Sequence, residues 1–344
     1  MLPWSSPLAG RIEQDVVDSA LLRDNPLGDP HERPVYVYLP PGYDDDPGRR
    51  YPVVYTIQGY TGHVAMWFNR APFRRPYPEM ADEMFATTDT PRAIVVYVDA
   101  WTALGGSQFL DSPALGRYHS YLCDEVVPWV DARYRTIPDR DHRAIAGKSS
   151  GGYGAMITPM LRPDLFGALA THAGDALFEV CYQPFFPDVA RLLRDEYDGS
   201  YEAFLADVRG RVHGTKDSDM DLIEMYGYAA AYSGNEDGSV DMPFDDVGAV
   251  VPEVWSRWLR WDPVLMPGAD PTYAEALRSQ RAIWIDAGTR DEYHLDFGAE
   301  AFRRAVAKSG VPDETVHFEL FDAKHGAIDY RYPKALAWLC HRLA

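Results

Sequence analysis

Two unbroken apolar runs, at residues 53–57 (Val-Val-Tyr-Thr-Ile) and 93–98 (Ala-Ile-Val-Val-Tyr-Val), constrain this chain more than any other feature. A strand with one wet face alternates apolar and polar residues. An unbroken run is buried on both faces, as in a parallel sheet covered by helices on either side. Further strands are expected at 12–21, 34–39, 143–147, 168–172, 282–287 and 315–321, with helical patterns at 118–133, 152–161, 299–309 and 333–343. The alternation of strand and helix implies an α/β architecture with a doubly wound, mostly parallel sheet. The 344 residues, 46% of them hydrophobic, are enough for one large core.

From about 176 to 266 the rhythm breaks. Amphipathic pieces at 188–197, 201–212 and 251–261 are separated by polar loops such as 233–239 (Ser-Gly-Asn-Glu-Asp-Gly-Ser). This stretch reads as a helical cap inserted between the sixth and seventh strands of a single domain spanning 1–344, since some 90 turn-rich residues would make a poor separate core.

The formal net charge of −19 is spread along the chain, which argues against nucleic-acid and anionic-membrane partners. No window approaches a membrane span, and residues 1–7 lack the basic and apolar regions of a secretory leader. Cys123, Cys181 and Cys340 are odd in number, widely spaced and without a C-x-x-C. A disulfide framework or zinc site is therefore not expected, and a reducing, cytoplasmic setting fits.

The chemistry is concentrated at residues 143–156, where a short strand runs into Gly147-Lys148-Ser149-Ser150-Gly151 and then a helix start rich in small residues. This is G-x-S-x-G in the strand–turn–helix context that places a serine at the apex of a tight turn. The phosphate-loop alternative fails because the glycine it needs five residues before Gly147 is His142. A serine nucleophile needs a base, and the base an orienting acid. Asp291 follows the seventh strand on a loop, with Glu292, Asp286 and Asp296 as weaker competitors. His325, followed by Gly326, lies on the loop after the eighth strand. Backbone N–H groups of Ser150 and Tyr60 are the expected oxyanion donors, the second from the loop Gln58-Gly59-Tyr60-Thr61-Gly62. Gln58, Gly59, Trp67, Phe68, Trp101, Tyr118, Lys148 and Tyr153 are expected at the pocket, and His63, His172 and His294 near it. No histidine stands in a metal-ligand spacing, so neither metal nor cofactor is expected.

At these residues the chain resembles the Putative esterase family of α/β-hydrolases, which contains enterochelin esterases, S-formylglutathione hydrolases, feruloyl esterases and mycolyltransferases. The resemblance rests on the segments 35–43 (Val-Tyr-Val-Tyr-Leu-Pro-Pro-Gly-Tyr), 51–55, 125–136, 143–152 and 288–292, together with His325. It implies an α/β-hydrolase fold with Ser149 as nucleophile, Asp291 as acid and His325 as base, acting on a small-molecule ester, with a homo-oligomer compatible. Gln58 stands where many members have His, and Lys148 and Ser150 where Leu and Met are usual. The activity expected is carboxylesterase chemistry through an acyl-enzyme. Acyl transfer and thioester hydrolysis are enzyme alternatives, and ligand binding on an inactive scaffold is a third.

Overall fold

In the computed structural model, residues 7–70, 74–212, 214 and 216–344 are described; residues 1–6, which carry most of the leader reading, lie outside them. Eight strands form the main sheet: β1 (Arg11–Asp18), β2 (Glu32–Leu39), β3 (Val53–Ile57), β4 (Ile94–Val98), β5 (Arg143–Lys148), β6 (Ala168–His172), β7 (Ala282–Gly288) and β8 (Val316–Phe321). Their order is β1-β2-β4-β3-β5-β6-β7-β8. β2 runs antiparallel to both β1 and β4, and every pairing from β4 to β8 is parallel. The mostly parallel, doubly wound α/β sheet expected from the apolar runs is present. Every residue of β3, β4, β6 and β7 is buried. Each Val or Ile so covered contributes roughly 1.5–3 kcal/mol.

The helices that matter below are α1 (Tyr77–Thr87), α2 (Val127–Arg133), α3 (Ser150–Leu161), α4 (Phe186–Tyr197), α5 (Tyr201–Gly210), α6 (Ser218–Ser233), α7 (Pro252–Leu259), α8 (Pro271–Arg278), α9 (Leu295–Lys308) and α10 (Tyr332–Leu343). Two differ from expectation. The single helix expected over 118–133 is a helical turn, a π-helical stretch over Tyr121–Val126 and then α2. Pro128 at the start of α2 lacks an N–H and crowds the carbonyl four residues back, which a widened turn relieves. The longest helix, α6, has no sequence counterpart in the expected set. Its second half, residues 227–233, is buried on all sides, so it shows no apolar stripe to read.

Helices α4 to α8 occupy the chain between β6 and β7. β3 is the point where the strand order turns, since β4 lies on one side of it and β5 on the other. A crevice therefore opens beyond the carboxyl ends of β3 and β5.

A buried ionic network ties α10 to the sheet. Asp286 on β7 is fully buried, and its Oδ1 lies 2.6 Å from His172 Nδ1 on β6. Its Oδ2 accepts from Arg331 Nε (2.9 Å) and Trp284 Nε1 (2.9 Å), and Arg331 also bonds Glu319 on β8. Burial opposes ionisation of Asp286, but His172, Trp284 and Arg331 together hold its pKa below the usual carboxylate value. Removing one partner of such a buried pair leaves a charge without compensation. Arg331→Met keeps the stem and deletes the guanidinium, with an expected loss of about 3–5 kcal/mol. Guanidinium chloride denaturation reads it as a lower midpoint; an unchanged midpoint would show that the network contributes no net stability.

Candidate active site

The turn after β5 holds Ser149 at φ 58°, ψ −128°, a region that costs a non-glycine residue roughly 1–3 kcal/mol. Surrounding bonds maintain it. The Ser149 N–H faces the carbonyls of His172 (3.0 Å) and Ala173 (3.1 Å), and the Ser149 carbonyl accepts from the Tyr153 N–H (2.8 Å). Close backbone approach explains the flanking glycines. A Cβ on Gly147 would lie 2.3 Å from the Gly151 carbonyl oxygen, and one on Gly151 would lie 2.4 Å from that of Ile57. Strands β5 and β3 and helix α3 thus converge where no side chain fits.

The loops after β7 and β8 are laddered together. The N–H groups of Thr289 and Arg290 donate to the carbonyls of Phe321 and Ala323, each at 2.9 Å. This brings Asp291 Oδ2 to 2.8 Å from His325 Nδ1, while His325 Nε2 stands 3.1 Å from Ser149 Oγ. The Tyr293 N–H donates to Asp291 Oδ1 (2.9 Å) and fixes the carboxylate. With Nδ1–H donating to Asp291, the Nε2 lone pair faces the serine hydroxyl. The competing acids have other partners. Glu292 accepts the backbone N–H of His325 (2.9 Å), a bond that lowers its pKa. Asp286 belongs to the Arg331 network, and Asp296 lies in the first turn of α9.

Gly59 brings the β3 loop against the serine: a Cβ there would be 3.1 Å from the Lys148 carbonyl oxygen and 3.3 Å from Ser149 Cβ. The next amide, that of Tyr60, and the amide of Ser150 at the start of α3 have no acceptor among the described residues. Beside them lies a cavity of about 480 Å³. Ser149, His325, Lys148, Gly59, Tyr60 and Trp67 line it.

Other expected lining residues lie elsewhere. Gln58 is buried; with its amide turned to suit its neighbours, it donates to the Val98 carbonyl (2.5 Å) and accepts from the Ala100 and Trp101 N–H groups (2.7 and 3.3 Å). It brackets the ends of β3 and β4. Tyr118 is fully buried, its ring beside the Arg33 guanidinium. Tyr153, also fully buried, donates to the Trp261 carbonyl (3.1 Å). Trp101 is 38% exposed and outside the cavity. Phe68 packs on Tyr36 and Tyr97. His63 caps the short helix Val64–Phe68, His172 serves Asp286, and His294 precedes α9 on the surface. Aromatic residues following a strand end carry no mark of which way they turn.

Conversely, Asp175, Tyr182, Glu224, Tyr228, Tyr293 and Tyr332 line the cavity and were not singled out by sequence. Asp175 had one usable signal, its place three residues beyond β6. Its carboxyl is buried, which raises its pKa, although Tyr182 Oη (2.8 Å), Gln108 Nε2 (3.2 Å) and Ser150 Oγ (3.2 Å) all bond Oδ2. Burial lowers the Lys148 pKa, and its ammonium has no ion-pair partner among the described residues. Burial also pushes Glu224 up to about 7, partly offset by the Tyr228 hydroxyl bonded to it (2.6 Å). Among the described residues there is no group of side chains that could hold a metal ion.

A mostly parallel sheet with an antiparallel edge, a serine on the tight strand–helix turn after β5, and an aspartate and a histidine on the loops after β7 and β8 define an α/β-hydrolase. Residues 30–332 match the model of the family described as Putative esterase, and the chain belongs to that family. A ferulic acid esterase of known structure superposes on 98% of this chain and 100% of its own, with TM-score 0.61 and 20% identity. The S-formylglutathione hydrolase of Agrobacterium tumefaciens covers 99% of this chain and 98% of its own, with TM-score 0.58 and 16% identity. The endo-1,4-beta-xylanase/feruloyl esterase of Xylanibacter ruminicola is 29% identical over 139 residues, 38% of this chain and 18% of that protein. The chain spans about a third or less of the length of the curated relatives it matches.

Two outcomes are expected from this geometry. Gly151→Ala should push α3 off the Ile57 and Gln58 carbonyls and slow fluorophosphonate labelling of Ser149 at least tenfold; labelling at the native rate would show that the turn can relax. Because Glu224 is neutral below its raised pKa and anionic above it, the cavity gains negative charge between about pH 6 and pH 8. Affinity for cinnamate relative to neutral cinnamyl alcohol should fall a few-fold over that window. Glu224→Gln should reduce the fall, and an undiminished fall would remove Glu224 from the account.

Proposed function

We propose that this protein is a serine carboxylesterase that cleaves a small-molecule ester through an acyl-enzyme. The observation that carries this reading is the continuous chain Asp291–His325–Ser149 at 2.8 and 3.1 Å, ending at a cavity. His325 Nε2 takes the Ser149 proton as Oγ attacks the ester carbonyl, and Asp291 holds the imidazole tautomer and offsets the imidazolium charge. The carbonyl oxygen, now an oxyanion, receives the N–H groups of Tyr60 and Ser150. His325 then protonates the departing alkoxide, and the same base activates water to release the acid. No step calls on a metal or cofactor.

The lining of Trp67, Tyr182, Phe185, Tyr228, Tyr293 and Tyr332 suits a substrate with an aromatic or apolar portion. The ferulic acid esterase and the bifunctional feruloyl esterase among the similar proteins support a hydroxycinnamoyl ester as the first substrate to try. No helix among the described residues is long and apolar enough to cross a membrane. The three cysteines are free and buried, in keeping with a cytoplasmic setting.

Turnover of p-nitrophenyl acetate, p-nitrophenyl butyrate, methyl ferulate and S-formylglutathione tests the reading. Wild type should hydrolyse at least one of them, and Ser149→Ala should remove the activity. Asp291→Asn should lower kcat by roughly 10⁴-fold, through the wrong imidazole tautomer. A wild type without turnover or fluorophosphonate labelling overturns the esterase reading. Full activity in Ser149→Ala overturns the site assignment, and product appearing on an added alcohol in place of water points to acyl transfer.

A further inference from the structure

The two residues assigned above as oxyanion donors reach one helix, α6, by separate routes. The Tyr60 hydroxyl lies between the carbonyl oxygens of Leu104 (2.5 Å) and Ile223 (2.8 Å), the latter on α6. Its ring packs against Tyr228, also on α6, with centroids 5.3 Å apart. Gly227 of α6 makes this approach possible: a Cβ there would lie 2.8 Å from the Tyr60 oxygen. On the opposite side Gly105, at φ +93°, leaves the same room, since its Cβ would fall 2.7 Å from the ring carbon bearing that oxygen. Tyr60 is thus gripped between a loop and a helix.

Ser150 reaches α6 through Asp175. Its hydroxyl stands 3.2 Å from Asp175 Oδ2, the oxygen that also takes the hydroxyl of Tyr182 (2.8 Å) and the amide of Gln108 (3.2 Å). Tyr232, on α6, closes the cluster. Its hydroxyl is 3.0 Å from Gln108 Nε2 and 3.3 Å from that of Tyr182. All five side chains are buried except for the part of Asp175 and Tyr182 that faces the cavity. Gln108 is held at φ +51°, a conformation a non-glycine residue keeps only where its surroundings impose it.

We propose that α6 sets the oxyanion hole: the Tyr60 hydroxyl, and Asp175 with Tyr182 and Tyr232, are positioning groups that aim the two backbone amides at the reacting oxygen. This rests on the esterase reading and extends it from the reacting groups to the element that aligns them. An amide works as an oxyanion donor only when preorganised at hydrogen-bond distance from where the charge develops, so a shift well under an ångström is felt in kcat. Since both routes converge on one helix, displacement of α6 would release both donors together. Cutting either route while α6 stays in place leaves the cavity walls, and with them ground-state binding, little changed. The coupling therefore acts on the chemical step.

The test compares Tyr60→Phe, Asp175→Asn and Tyr232→Phe with wild type. Tyr60→Phe keeps the amide and the ring and deletes the hydroxyl that reaches Ile223 of α6 and Leu104. Tyr197→Phe is the control, because it breaks a hydroxyl bond to Asp207 within the same helical segment at a residue that does not line the cavity. Each variant is measured for kcat and KM on p-nitrophenyl butyrate, for inhibition by phenylboronic acid, which adds to Ser149 and presents an oxygen to the hole, and for melting temperature. Tyr60→Phe and at least one of Asp175→Asn and Tyr232→Phe should lower kcat roughly ten- to a hundredfold with KM within about twofold. Boronate inhibition should weaken by a similar factor, and Tyr197→Phe should match wild type in kcat and boronate affinity whatever its melting temperature. Native kcat in Tyr60→Phe, a kcat loss without weaker boronate binding, or an equal loss in Tyr197→Phe overturns the inference. If wild type turns over and Ser149→Ala does not, those outcomes leave the esterase reading standing; an inactive wild type removes both.

Discussion

The contact on which the remainder of the site depends is the approach of three backbones at the end of β5. Gly147 and Gly151 face each other, and Gly151 faces the carbonyls of Ile57 and Gln58, at separations that admit no Cβ. That approach forces Ser149 into its left-handed conformation and lifts its hydroxyl clear of strand and helix. It also brings the β3 loop, through Gly59, into van der Waals contact with the serine. Ser149 and the loop carrying Tyr60, the nucleophile and one oxyanion donor of the proposed mechanism, are therefore fixed by the same steric condition. The strain is sustained because the sheet around it is buried throughout and cannot relax locally.

Much of this was legible in the sequence, and the reason is periodicity. Strands 53–57 and 168–172 coincide with β3 and β6 to the residue, because a doubly buried strand is an unbroken apolar run between turn signals. The candidate triad was legible because three loops follow three recognisable strands, and each chemical group is the one its loop position favours. Where periodicity is lost, so is the reading. α6 is enclosed on every side over its second half and so carries no stripe there, yet its first half supplies much of the cavity wall. Tyr118 and Tyr153 illustrate the complementary failure. An aromatic near a strand end is equally compatible with the core and with the pocket, and only its rotamer and neighbours decide.

The cavity combines an aromatic lining with charges that partly oppose each other. Lys148 has no ion-pair partner among the described residues and lies beside the serine, while Asp175 and Glu224 line the same cavity from the chain between β6 and β7. Each of the three has its ordinary charge weakened by burial, since desolvation lowers the lysine pKa and raises both carboxyls. Such a pocket sets tyrosine hydroxyls beside charges that burial disfavours, and Glu224, raised to about 7, changes its charge around neutrality. That distinguishes it from the strongly acidic exterior of a chain carrying a net charge of −19.

The Arg331–Asp286–His172 network has a bearing on the order in which the molecule is made. Asp286 is fully enclosed, and its guanidinium partner comes 45 residues later, on the segment leading into the last helix. His325 also belongs to this late portion. On a ribosome releasing the chain from its amino end, β1 to β6 can pair early. The far edge of the sheet, however, must wait for Arg331 before its buried carboxylate has all of its partners. Ser149 would therefore be in place well before His325, and the proposed triad would be complete only once the segment carrying His325 and Arg331 has emerged.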